Sequence, residues 1–342
     1  LARDRLRRRR RAPAVLSLDA EEQSAFDPTT CSPRELADLS KPPPDVPLTL
    51  SEEADALQRA LSRLPAAERE REYSPSSRLH DGDFTPFVDE YLARSIEHRA
   101  TLPTITIDYG SRSTNSIDLA IPDRASAPGA PLDRALPVHI YLHGGYWQEL
   151  SKYESFFLAR DLANRGEALA AVDYTLAPEA TLSEIVDECC AAVRTVAAAA
   201  PDLGLDAGSI TVSGSSAGAH LAAMTALRLE PNERPAGLIL VSGIYGLEPL
   251  IGTSINDAVG LEPGTAAALS PLTQSLDGFP PAIVAYGDDE TDEFKRQSRA
   301  MVDALTEAGV AVSEVELPDR NHFDVVFDIV PDLVELLERL IG

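Results

Sequence analysis

Lysine, cysteine and tryptophan are scarce in this chain. Its 342 residues include three Lys, three Cys and one Trp. Cys31, Cys189 and Cys190 are odd in number and form no disulfide framework. Cys189 and Cys190 are adjacent in an apparent helix, so they read as free buried thiols, which points to a reducing cytoplasm. No run of 18 apolar residues occurs, so no transmembrane helix is expected. The apolar stretch from Ala12 to Leu18 is broken by Pro13 and stops at Asp19. That is too little for the hydrophobic region of a secretory signal. Metal and nicotinamide signatures are missing as well. There is no HExxH, and His139 and His143 fall on a strand and a turn rather than on one helical face. No GxGxxG follows the first strand. Neither a metal nor a cofactor is implied.

Positive charge is the scarcer sign, with 30 Lys+Arg against 55 Asp+Glu and a net charge of −25. Such a surface repels phosphates, which argues against nucleic-acid binding. A small anionic substrate stays open, because a pocket can differ from the surface. The charge is uneven. Residues 1–11 hold seven Arg against Asp4, a local +6, which leaves −31 on the rest of the chain. The run Arg7 to Arg11 reads as a solvated tail rather than a lipid or nucleic-acid anchor. The chain opens on Leu, so these residues stay outside the fold argument.

An apolar share of 44% excludes wholesale disorder. Residues 1–50, with Pro42-Pro43-Pro44 and Pro47, read as a mobile leader. A helix is expected over 51–64, opened by Ser51-Glu52-Glu53, and another over 86–98 with Phe87, Tyr91 and Ile96 apolar. These N-terminal helices, 51–103, are candidates for a cap over a pocket. From Thr104 the pattern changes. Strands are expected at 104–109, 116–121, 137–142, 168–173, 209–213, 237–242, 282–286 and 311–317. Helices are expected at 154–165, 181–199, 216–229, 293–308 and 324–340. The first two strands have no helix between them and read as an antiparallel pair. The remainder alternates strand and helix, which implies an α/β domain over 104–342 with a mostly parallel central sheet covered on both faces.

Three segments carry chemistry. Gly214-Ser215-Ser216-Ala217-Gly218 lies between a strand and a helix. A sharp strand-to-helix turn there exposes the hydroxyl of Ser216, a candidate nucleophile. His143-Gly144-Gly145-Tyr146-Trp147 follows the third strand. Its glycines let backbone N–H groups of Gly144 and Gly145 turn toward a ligand, and with the N–H of Ala217 they can hold an oxyanion. Tyr146 and Trp147 are taken as substrate-pocket residues, although plain packing serves Trp147 equally well. Of six His, only His322 is both C-terminal and on a loop, as the order Ser, acid, His requires. His80 and His98 read as surface residues, His139 as packed, and His143 as ordering the glycine loop. The acid belongs after the strand at 282–286, where Asp288, Asp289, Glu290, Asp292 and Glu293 offer five carboxylates. Position alone does not choose among them.

In this order, the three segments resemble the α/β-hydrolase fold. Within it, His143-Gly144-Gly145-Tyr146-Trp147 resembles the HGGxW motif of the kynurenine formamidase (arylformamidase) family. Glu72-Tyr73-Ser74-Pro75-Ser76, Tyr174-Thr175-Leu176-Ala177-Pro178, Gly243-Ile244-Tyr245, Asn256-Asp257, Glu293-Phe294-Lys295-Arg296-Gln297 and His322-Phe323-Asp324 are also similar to that family. The resemblance covers about residues 70–342 and not the leader. The run from Asp173 to Glu179 is also similar to hormone-sensitive-lipase-type esterases, whose loop reads HGGG. Tyr146 in place of the third Gly favours the formamidase side. Counting from the family pattern places the acid on Glu290, with Asp292 second and Asp289 third. Glu where the family has Asp is a departure.

The resemblance implies a serine hydrolase that removes a small acyl group from an amide or ester, an aryl formamide such as N-formylkynurenine first. A carboxylesterase for short or aryl esters is the alternative. An α/β-hydrolase fold kept only as a binding module is the remote one. The expected partner is a small-molecule acyl substrate, with neither nucleic acid nor membrane, and a homodimer is allowed.

Overall fold

The computed structural model describes residues 65–123 and 135–342. The leader, the expected helix at 51–64 and Cys31 lie outside the described residues. All described residues fall in one compact unit, Thr49–Gly342. Two helices come first, α1 (Ala66–Glu72) and α2 (Thr85–Thr101). The strands β1 (Thr104–Asp108), β2 (Ser116–Ala120) and β3 (Leu136–Leu142) follow. Then come α3 (Ala159–Arg165), β4 (Ala168–Val172), α4 (Leu182–Ala199), β5 (Leu205–Ser215), α5 (Ala217–Arg228) and β6 (Gly237–Val241). Two short helices, α6 (Asn256–Val259) and α7 (Pro263–Ala268), precede β7 (Ala282–Asp289), α8 (Asp292–Glu307), β8 (Val312–Asn321) and α9 (Glu335–Ile341).

The eight strands form one sheet in the order β1-β2-β4-β3-β5-β6-β7-β8. β1 pairs antiparallel with β2, and β2 with β4. Every later pairing is parallel. Side chains alternate across the pleat. Val138, Ile140, Leu142, Val212, Leu238 and Val284 face α4, α5 and α8. Tyr141, Leu169, Ala171, Ile239, Ile283 and Ala285 face α2, α3 and the C-terminal helices. Both faces are covered, so the central strands read as continuous apolar runs. Among the described residues no helix is long and apolar enough to cross a membrane.

Three local expectations change. The segment at 324–340 is not one helix. It runs as a 3-10 turn (Val325–Asp328), a π segment (Ile329–Val334) and α9. Pro331 lies within the π segment, where a missing N–H and the ring clash break regular i→i−4 bonding. Ile96 of α2 is 60% exposed; the buried face is Val88, Tyr91, Ser95 and His98. His98 is therefore no surface residue: its Nδ1 lies 3.3 Å from the carbonyl of Phe156. The expected helix at 154–165 opens with a 3-10 turn, Phe156–Leu158.

Candidate active site

Ser216 is the single residue between β5 and α5. Its backbone sits at φ 56°, ψ −120°, a region that costs a non-glycine residue free energy. The turn is fixed from both sides. Ser216 N–H donates to the carbonyl of Val241 at 2.8 Å, and its carbonyl accepts from Ala219 at 3.0 Å. Glycine is required around it by space. A Cβ on Gly214 would stand 2.2 Å from the carbonyl oxygen of Gly218, and one on Gly218 would stand 2.0 Å from that of Leu142. The end of β3 thus lies directly on the first turn of α5, which carries the loop after β3 to Ser216.

That loop is His143 to Trp147. A Cβ on Gly144 would meet the carbonyl of Ser215 at 2.9 Å and Cβ of Ser216 at 3.4 Å, so the Gly144 backbone is against Ser216. Gly145 adopts φ +95°, and a Cβ there would meet the Glu149 carbonyl at 2.5 Å. His143 anchors the loop. Its Nδ1 is 2.9 Å from the Gly144 carbonyl, its ring stacks on Tyr174 at 4.1 Å, and Tyr174 donates to its carbonyl at 2.8 Å. Complete burial pushes the His143 imidazole down to about 4, so it is neutral at ordinary pH. Ala217, first residue of α5, is fully buried. Its N–H is one of the helix N-terminal donors that no helical carbonyl can satisfy.

His322 is the first residue after β8 and opens the turn that follows. Its Nδ1 is 2.8 Å from Oε2 of Glu290. Glu290 follows β7 and is 1% exposed. Its other oxygen accepts from Gly287 N–H at 2.7 Å and from Ser242 Oγ at 2.5 Å. Phe294 covers the imidazole, with ring centroids 4.3 Å apart. The other carboxylates of this segment go elsewhere. Asp292 is exposed at the start of α8, Asp289 pairs with Arg78 at 2.9 Å, and Asp288 accepts from the Arg320 N–H at 3.3 Å. Glu293 takes Arg296 at 2.6 Å and the Tyr73 hydroxyl at 2.5 Å.

Ser216, His322, Gly144, Gly145 and Tyr146 line one cavity of about 350 Å³. That is near the lower end of small-molecule pockets, roughly 300–1,000 Å³. Phe84, Val88 and Tyr91 of the N-terminal part line it too, with Phe157 and Phe323. Trp147 does not. It is 0% exposed and packs edge-on to His220 at 5.0 Å, so its pocket role is corrected to packing. Its neighbour Tyr146, also at positive φ, lines the cavity that Trp147 does not reach.

Two residues hold the site in roles that the sequence alone does not assign. Ser242 directly follows β6, beside the strand end that Glu290 follows, and the parallel order gave a usable signal because adjacent strand ends share one rim. Gln297 is the other. Its Oε1 accepts from the N–H groups of Tyr245 and Gly246, both at 2.7 Å, and its Nε2 donates to Tyr73 Oη at 3.0 Å. Gln297 therefore ties the Tyr73 segment, the loop after β6 and α8 together, three of the stretches quoted for the family resemblance.

Comparison with known proteins agrees with this architecture. Residues 139–264 match the α/β-hydrolase fold family. A kynurenine formamidase of Danio rerio is 31% identical over 296 residues, covering 80% of this chain and 96% of the relative. A carboxylesterase of Mycobacterium tuberculosis is 31% identical over 235 residues, 61% of this chain and 73% of the relative. Among solved structures, a hyperthermophilic esterase from the archaeon Pyrobaculum calidifontis shares the fold, with a TM-score of 0.58 and 24% identity over 76% of this chain and 92% of the other. This chain is a hydrolase of the α/β-hydrolase fold and belongs to the kynurenine formamidase family.

Proposed function

We propose that the hydrolase acts through Ser216, His322 and Glu290 on an aryl formamide. Ser216 Oγ attacks the formyl carbon while its proton passes to His322 Nε2. The Glu290 carboxylate on Nδ1 fixes the ring and stabilises the imidazolium that forms. The N–H groups of Gly144, Gly145 and Ala217 take the oxyanion, each worth about 3 kcal/mol. The C–N bond then breaks as His322 returns the proton to the leaving arylamine, which departs. A formyl ester remains on Ser216. Water attacks that ester, giving its proton to His322, and formate leaves as the proton goes back to Ser216.

One observation carries the mechanism: His322, bonded to a fully buried carboxylate at 2.8 Å, lines the same cavity as Ser216 in its strained turn. Tyr146 where esterase loops carry a third glycine, together with the kynurenine formamidase relative, supports the formamide substrate. A carboxylesterase is the second reading, favoured by the Mycobacterium tuberculosis relative. Comparing kcat/KM for N-formylkynurenine and p-nitrophenyl acetate separates the two. A strong ester preference with no formate released from the formamide rejects the first. Cys189 and Cys190 are free and buried, which suits a cytoplasmic enzyme.

A further inference from the structure

The cavity carries charge of one sign. Its lining includes Glu70, Glu149 and Glu154, and no Lys or Arg among the described residues. Glu70 is engaged by the N–H and hydroxyl of Ser254, and Glu149 is exposed to solvent. Glu154 differs from both. It is 7% exposed, and Ser151 Oγ donates to its Oε2 at 2.7 Å. Its Oε1 takes no hydrogen bond from the described residues. That oxygen keeps access to the cavity, where water or a donor on a substrate can fill it.

Behind Glu154 two cations share one carboxylate, although Nη1 of Arg99 is buried without a hydrogen-bond partner. Arg99 and Lys152 both pair with Asp118, at 3.1 Å and 2.8 Å, and the N–H of Lys152 donates to Asp173 at 3.4 Å. Asp118, Asp173 and Glu154 all act on Arg99. Of these three carboxylates, Glu154 is the one on the cavity wall. Aromatic side chains share that cavity: Phe84, Tyr91, Tyr141 and Phe157. An aromatic chamber with one buried carboxylate and no cation suits an aryl substrate bearing a protonated amine.

We propose that Glu154 is a specificity residue that binds an ammonium group on the aryl portion of the substrate, so that amine-bearing substrates are preferred to those with a free carboxylate. The proposal rests on acyl transfer at Ser216 and narrows the substrate of that site. N-formylkynurenine bears both an ammonium and a carboxylate; its carboxylate meets no cation on the cavity wall. The same aryl formamide with a 2-aminoethyl ketone side chain, N-formylkynuramine, keeps only the ammonium.

The test measures kcat and KM for formanilide, N-formylkynuramine and N-formylkynurenine on the full chain and on Glu154→Gln. A matched ester pair, phenyl acetate and 4-(aminomethyl)phenyl acetate, runs alongside. Wild type is expected to favour N-formylkynuramine over formanilide and over N-formylkynurenine by about tenfold or more in kcat/KM, chiefly through KM. In Glu154→Gln the amine-to-neutral ratio should fall toward one. A wild-type preference for N-formylkynurenine, or an unchanged ratio in the variant, overturns the proposal. The first of these needs no variant. If the esters react and no formamide does, the formamide reading fails, and the ester pair decides Glu154 by the same ratio.

Discussion

Glu290 Oε2 stands 2.8 Å from His322 Nδ1, and the opposite oxygen of the same carboxylate is held by Ser242 and Gly287. The acid of the proposed site is thus a Glu fastened from a neighbouring strand end. The longer side chain reaches His322 from a position one residue past β7. Replacing Glu290 by Gln keeps the shape and removes the charge that steadies the imidazolium. Glu290→Gln is expected to lower kcat by roughly 10³–10⁴-fold. Asp292→Asn, at an exposed helix start, should leave kcat within about twofold of wild type. Steady-state kinetics of the two variants checks this, and equal losses in both would contradict it.

The glycine loop yields a second expectation. A methyl on Gly144 would press on the Ser215 carbonyl at 2.9 Å, displacing the backbone that faces Ser216. Gly144→Ala should therefore cost roughly 10²–10³-fold in kcat with little change in KM, the mark of a lost transition-state donor. A variant that raises KM alone would assign the loop to substrate binding instead.

Packing of the turn around Ser216 can be measured separately from catalysis. Gly218→Ala would set a methyl 2.0 Å from the Leu142 carbonyl, while a methyl on Gly264 in α7 meets nothing within 4 Å. Denaturant unfolding should show Gly218→Ala destabilised by at least about 1–3 kcal/mol. Gly264→Ala should be neutral or more stable by about 0.5–1 kcal/mol, since a helical Gly carries an entropy cost. Equal stability of the two variants would count against the close approach of β3 and α5.

Stability should also depend on pH through three imidazoles. Burial pushes His139, His143 and His220 down to about 4. In the unfolded chain they titrate near 6.5. Between those values the unfolded chain binds more protons than the fold, so stability is lost as pH falls through that window. Each contributes on the order of 3 kcal/mol at most. Glu72 and Glu167, pushed up by burial, act with the opposite sign, because the fold takes their protons first on acidification. Thermal melts from pH 7 to pH 4.5 should show a falling midpoint. A flat or rising midpoint would mean that the three imidazoles are not held neutral.

Much of this arrangement was legible because local chemistry and global topology agree. The strand before Gly214 and the helix after Gly218 follow from apolar runs bounded by small residues, and the order Ser216, Glu290, His322 follows from chain position. The parts that were not legible depend on contacts far apart in sequence. Nothing local separates Glu290 from four neighbouring carboxylates; only the count from the family pattern points to it, and in the fold Ser242 and His322, 48 and 32 residues away, hold it. Trp147 beside the glycine loop suits a pocket wall, yet it packs inward on His220. Glu154, before the apolar run Phe156-Phe157-Leu158, looks like an ordinary charge at a helix start, and only the packing of α2 against that run buries it. At 324–340 the apolar spacing of a helix is present, but Pro331 divides it.

Covalent labelling tests the central claim, that Ser216 is the nucleophile of this hydrolase. The protein is treated with a fluorophosphonate probe, and the adduct is mapped by peptide mass spectrometry in wild type and in Ser216→Ala of equal melting temperature. One adduct per chain, on Ser216 and absent from the variant, is the predicted result. A label on another residue, or an equally labelled variant, would contradict it.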